Sequence, residues 1–285
     1  MAGIWRDAFA SALRRPGVRV GLVIIGVVSV TAAFASTLAP YPPNDLLDPV
    51  ALRDQPPSLS HWLGTDPSSR DVLSRLLFGA RLSLTVAVTA VSIAVCVGTT
   101  VGAIAGYFGG IIDSIIMRIT DALLAIPRLL LLIAIVALWG TLSVPSLIVV
   151  LGATGWFGLT RLVRAEVASV RRRDFVLSAR ALGAGHARTI VRHILPHALG
   201  PVLVAAALGV GNVILVEAGL SFLGIGVAPP TASWGNMIRD GMNAPQTHWW
   251  VSVFPGLALA ATVVAVNLVT DGLRRALSTR QLPAR

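Results

Sequence analysis

Lysine is missing from this 285-residue chain: all 23 basic residues are arginine. A phosphate-binding loop of the G-x-x-x-x-G-K-[ST] type needs its lysine on the nucleotide phosphates, and Schiff-base chemistry needs a lysine amine. Neither chemistry is available here, so any linked nucleotide hydrolysis must sit on another polypeptide. Cysteine is nearly missing too. The single Cys96 lies in an apolar run, which excludes an internal disulfide and a cysteine-cluster metal site. H-E-x-x-H and G-x-S-x-G are absent, so an intramembrane hydrolase has no visible catalytic core. Charge is also scarce, at 13% of residues against 55% apolar, a balance foreign to ordinary soluble domains. The net charge of +10 could suggest nucleic acid, but the arginines flank apolar spans, so the membrane reading wins.

What is present is a series of apolar runs. Six spans are predicted: Val20–Ala39, Leu82–Tyr107, Ile115–Trp139, Val144–Leu159, Leu199–Ala218 and Val251–Thr270. About twenty residues at 1.5 Å each cross the roughly 30 Å hydrocarbon core. A signal peptide competes for the first run, with Ala33-Phe-Ala35 resembling a cleavage site, but its length and the spans that follow favour an uncleaved helix. Sixteen arginines fall in the N-terminus, the 161–196 connection and the C-terminus, against five (Arg53, Arg70, Arg75, Arg81, Arg239) on the other side. The positive-inside bias then places both termini in the cytoplasm.

Two external segments follow from that topology. Residues 40–81 are rich in Pro, Asp and Ser; residues 221–250 carry Pro229-Pro230, Trp234 and Trp249-Trp250. Those tryptophans fit interfacial anchors or a substrate-facing or partner-facing role equally well. Gly98, Gly102 and Gly106 recur every four residues in the second span, clearing one helix face for close packing. Charges at membrane depth are functional hypotheses by default. Arg118 and Asp121, three apart, can pair; Arg128 can snorkel; Glu217 has no obvious local partner and is a candidate for the transport pathway. His186, His193 and His197 lack an accompanying carboxylate, and Pro196 is expected to interrupt the helix between the last two, so no metal site is expected.

The connection 161–196 concentrates eight arginines. Phe175, Val176, Ala179 and Leu182 fall on one helical face, Gly183-Ala-Gly185 breaks the helix, and a second amphipathic piece carries Ala187, Ile190, Val191 and Ile194. Helix, glycine corner, helix describes a knuckle on the membrane face. The blander reading is a solvated loop on anionic headgroups.

These residues resemble the cytoplasmic signature of integral-membrane subunits of ABC importers: Glu-Ala-Ala, three residues, Gly, nine residues, then Ile-x-Leu-Pro. Here Ala179, Gly183, Leu195 and Pro196 match, while Leu177, Ser178 and His193 stand at the Glu, first Ala and Ile positions. Further stretches look like the C-type permease subunits of dipeptide, oligopeptide and nickel importers: His61-x-Leu-Gly-Thr-Asp66, Arg70-Asp71-Val-Leu-Ser-Arg75, Glu217-Ala-Gly-Leu-Ser-Phe-Leu-Gly224, Pro229-Pro-Thr-x-Ser-Trp-Gly235 and Asp271-Gly-Leu-Arg274.

The resemblance implies an all-α membrane protein of six transmembrane helices with the type I importer permease fold and a cytoplasmic coupling helix. Residues 1–19 would be a cytoplasmic segment, 20–39 the first span, 40–81 an external loop, 82–270 the permease core with coupling loop 161–198 and external loop 221–250, and 271–285 a cytoplasmic tail. Asp174, Ser178, Ala179, Arg180, Ala181, Leu182, Gly183, Ala184 and Gly185 would contact an ATPase. Expected partners are a homologous permease, two ABC ATPase subunits or domains, an extracytoplasmic substrate-binding protein and membrane lipid, in a bacterial inner membrane, with no nucleic acid. No cofactor is expected on this chain; ATP and Mg would be bound by the ATPases. Peptide is the favoured cargo, with a nickel or metal-chelate importer and then a stand-alone secondary transporter as alternatives.

Overall fold

The computed structural model describes residues 11–140, 142–242 and 245–278. Arg6, Arg280 and Arg285, used in the arginine count, lie outside them. The described chain is helical with no strand: α1 (Pro16–Ala33), α2 (Val72–Phe108), α3 (Gly110–Leu124), α4 (Arg128–Trp139), α5 (Val144–Val170), α6 (Asp174–Ala181), α7 (His186–Phe222), α8 (Trp234–Gly241) and α9 (Trp249–Ser278).

Five of these, α1, α2, α5, α7 and α9, are long and apolar enough to cross a membrane. The sixth apolar unit, expected as one span over Ile115–Trp139, is instead the pair α3 and α4, bent by 80°. Pro127 supplies the reason. It has no N–H to continue the α3 ladder and pushes Ile126 out of helical geometry, so a new helix starts at Arg128.

The helices overrun the apolar windows. α2 begins ten residues before the expected Leu82, where Asp71 caps it by accepting from the Ser74 amide at 2.8 Å. α5 runs on through Arg161 and Arg164 to Val170, and α7 starts at His186. The expected loops therefore shrink: residues 161–170 and 186–198 are helix, as are residues 72–81 and 234–241. Pro196 does not break α7. The turn before it, Thr189–Ile194, widens into a π-helix, which moves the backbone carbonyls away from the proline ring while the chain stays helical.

The core sits where α2 crosses α5. A Cβ built on Gly102 would lie 2.6 Å from the Thr160 carbonyl, and one on Gly106 2.6 Å from the Arg164 carbonyl. Gly98 faces Leu159 in the same way, and Gly152 of α5 reciprocates against Ile93 of α2. Only hydrogen fits at these crossings, so the backbones touch. Val86, Leu147, Leu151 and Ile214, all fully buried, continue this core between α2, α5 and α7. α1 packs on α9 through Gly21 and turns Val20, Val23 and Val27 outward, as a lipid-facing helix should.

Candidate functional site

The knuckle is built from the end of α5 to the start of α7. Asp174 lies in the first turn of α6, where a carboxylate suits the helix dipole. α6 ends in a Schellman arrangement: the Ala184 amide donates to the Ala179 carbonyl at 3.1 Å and the Gly183 amide to Arg180 at 2.9 Å. This closure needs a left-handed residue, and Gly183 has φ +86°. Gly185 then starts α7, its carbonyl accepting from Thr189 Oγ1 at 3.0 Å.

One side chain holds the knuckle down. Val176 is fully buried against Val170, Ile194 and Ala198, and Phe175 meets the His197 ring at 4.9 Å. The single apolar face expected from periodicity is therefore split. Leu182 is 89% exposed, and Ser178, Ala181, Gly183 and Gly185 are exposed too, with Ala179 and Ala184 half-buried.

Residues that sequence reasoning did not select form the platform beneath. Tyr107, at the end of α2, bonds His186 Nδ1 through its hydroxyl at 2.9 Å, lies under the Arg180 guanidinium at 6.0 Å, and offers its carbonyl to Arg171. Tyr107, Phe108, Arg171, Arg172, Leu177, Arg180 and His186 line a recess of about 480 Å³. The Tyr107-Phe108 pair ending an apolar run was the available signal. Arg164 grips Asp113 through Nε at 2.9 Å and through a second nitrogen, fastening α5 to α3; Asp121 pairs with Arg161 at 3.7 Å, not with Arg118 as expected.

At the other end of the bundle, Glu217 is fully buried and far from partnerless. It accepts from Ser83 of α2 at 2.8 Å, Ser221 of α7 at 2.9 Å and Ser233 at the α8 N-cap at 2.8 Å. Ser233 also forms a capping box with Asn236, and Gly235 presses against the Ala218 backbone, where a Cβ would overlap it. Glu217 thus ties three helices together rather than facing an open pathway.

Residues 40–71 fold onto this end. Arg75 is 1% exposed; its Nη1 donates to the carbonyls of Pro43 and Pro230 at 3.1 and 3.3 Å, and its Nε lies 3.4 Å from Asp66. Arg70 bonds Asp66 at 2.7 Å and Asp240 at 3.3 Å. Trp234 donates to the Leu76 carbonyl and Trp250 to the Thr65 carbonyl, each at 3.1 Å. Both rings are buried, so neither is an interfacial anchor nor a substrate wall; Trp249 is half exposed. Among the described residues no group of three His, Cys, Asp or Glu could hold a metal ion.

The described residues form a bundle of membrane-length helices with a built protrusion at one end, an architecture that fits a membrane transport component. Residues 98–282 match the family model described as binding-protein-dependent transport system inner membrane component, and residues 3–57 match the N-terminal TM domain of oligopeptide transport permease C. The chain belongs to the binding-protein-dependent permease family and has the type I ABC importer permease fold. It is 48% identical over 272 residues to the dipeptide transport system permease protein DppC of Escherichia coli K12, covering 94% of this chain and 90% of that protein. The DppC of Alkalihalophilus pseudofirmus is 41% identical over 281 residues, 97% and 90% of the two chains. A putative peptide transport system permease of Brucella suis is 39% identical over 268 residues, 94% and 89% of the two.

Proposed function

We propose that this chain is the C-type permease subunit of an ABC importer for dipeptides or oligopeptides, with α6 and its glycine corner as the coupling helix. The observation that carries the reading is the knuckle: a Schellman-closed protrusion anchored by Val176, with Phe175, Leu177 and Leu182 exposed on it. Relatives named for dipeptide and peptide transport support the cargo class and lend none to nickel.

In this mechanism an extracytoplasmic binding protein delivers peptide to a pathway formed with a homologous permease. Two ATPase subunits bind ATP and Mg, and a groove of one of them receives the 174–186 loop of this chain. Their closure pushes the knuckle as a lever. The close α2–α5 packing and the Arg164–Asp113 pair then carry the displacement into the spans as a rigid-body change. The arginine-rich end is the cytoplasmic one, in a bacterial inner membrane.

The test is affinity capture of the assembled transporter with ATP-driven dipeptide uptake in proteoliposomes. ATPase subunits co-purify with wild type, and Gly183→Pro abolishes uptake while the permease pair stays assembled. Uptake by this chain alone without ATP would overturn the reading.

A further inference from the structure

A cavity of about 300 Å³ lies between α2, α5 and α7, walled by small residues including Ala90, Ala94, Gly155, Ala206 and Gly209. Two polar groups line it: Arg128 and Asn212. Arg128 does not snorkel to the arginine-rich end. Its Nη2 donates to the Leu151 carbonyl at 3.0 Å, and Leu151 is ten residues, about 15 Å of helix, before Arg161. The guanidinium is therefore held at mid-membrane depth. Its Nε is buried with no hydrogen-bond partner among the described residues. None of the ion pairs found among those residues includes Arg128.

A cation at this depth, held by one carbonyl and answered by no carboxylate, is costly unless something else answers it. Nε is sealed from the cavity, so the terminal nitrogens of the guanidinium are the donors a carboxylate would meet. The volume is at the lower bound of small-ligand sites, and its wall mixes these small residues with Val91, Leu159 and Leu208. We propose that this cavity is a carboxylate-accepting station on the cargo route, with Arg128 as the anion-binding residue and Asn212 as a hydrogen-bonding neighbour. The proposal rests on the peptide reading above: an unblocked peptide carries a terminal carboxylate, and Arg128 would hold that end as the cargo passes.

The experiment uses the complete transporter in proteoliposomes, with labelled dipeptide and loaded binding protein. Arg128→Gln lowers uptake by about tenfold or more, the size of a lost charge-assisted bond, while subunit assembly and stimulated ATP hydrolysis stay within about twofold of wild type. Arg128→Lys, which keeps the charge, retains at least about a third of wild-type uptake. Ala206→Leu narrows the cavity without touching the Arg128–Leu151 bond and also lowers uptake. Arg128→Gln uptake within about twofold of wild type overturns the proposal, as does Arg128→Lys failing as badly as Arg128→Gln. Loss of assembly or ATP hydrolysis along with uptake in Arg128→Gln makes Arg128 a structural brace and overturns it too. A wild-type transporter that takes up neither dipeptide nor oligopeptide would instead refute the cargo reading.

Discussion

At the end of the bundle that holds residues 40–71 and α8, polar side chains are buried and answered within the chain. Asp66, Asp71, Arg75 and Glu217 are each at most 2% exposed, and each has a partner at hydrogen-bond or ion-pair distance. At the arginine-rich end a closed helical corner leaves apolar side chains outside, Leu182 at 89% and Leu177 at 50%, whereas the other end exposes them on loop residues such as Leu59 and Val50. A buried charge network paired within its own chain resists deformation, because any movement strands a charge in low dielectric. Within it, Arg75 Nε has only the 3.4 Å ion pair to Asp66 and no hydrogen bond. An exposed leucine on a closed helical corner adds little burial within its own chain, which fits the proposed docking role. One end is held by its own buried charges; in the proposed assembly the other docks on an ATPase.

The largest expected effect comes from breaking the closed end. Arg75→Leu removes three bonds and strips Asp66 of one of its two cations. It should destabilise the protein by about 3–5 kcal/mol, read as lost thermal stability in detergent. Next is Glu217→Ala, which strands three serine hydroxyls and opens a void at the α2–α7–α8 junction. A loss of about 2–4 kcal/mol follows, with Glu217→Gln costing less because its carbonyl oxygen still accepts from Ser221 and Ser233. Equal losses for the two would show that the carboxylate's two accepting oxygens, not the side chain's shape, hold that junction. At the other end the paired variants Val176→Ala and Leu182→Ala should separate. The first costs about 2 kcal/mol by leaving a void; the second stays within about 0.5 kcal/mol of wild type yet weakens ATPase co-purification. If Leu182→Ala destabilised the isolated chain, the contrast between the ends would fail.

Much of this was legible in the sequence, for physical reasons that also mark where reading stops. The apolar runs announced the spans because lipid thickness sets their length. The Gly-Ala-Gly corner announced itself because only glycine closes a helix with positive φ at no cost. Helix ends did not show, since a hydropathy window stops at the first charge while the hydrogen-bond ladder of α5 runs on through Arg161 and Arg164. Long-range partners were invisible. Glu217 looked unpartnered because Ser83 lies 134 residues away in the chain and Ser233 sixteen. Arg128 looked like a snorkelling end residue because the 80° bend at Pro127, which sends it inward to Leu151, cannot be read from composition.

The smallest effect probes the rim of the closed end, where burial is incomplete. Asp240 accepts from Arg70 Nη2 at 3.3 Å, with Arg75, Asp66 and Arg239 as its other charged neighbours. Burial pushes its carboxyl above the ordinary aspartate value of 3.8, against the opposing pull of Arg70 and Arg75. The folded state therefore holds the proton more tightly than the unfolded chain does. Its contribution to stability is fully present below the unfolded value and is lost as pH rises through the folded one. On acidification from pH 7 toward pH 4, wild type should gain thermal stability relative to Asp240→Asn, the groups common to both cancelling in the difference. The opposite trend would mean that the arginines outweigh burial at Asp240, and that the rim is held by a charged pair like the Arg75 site behind it.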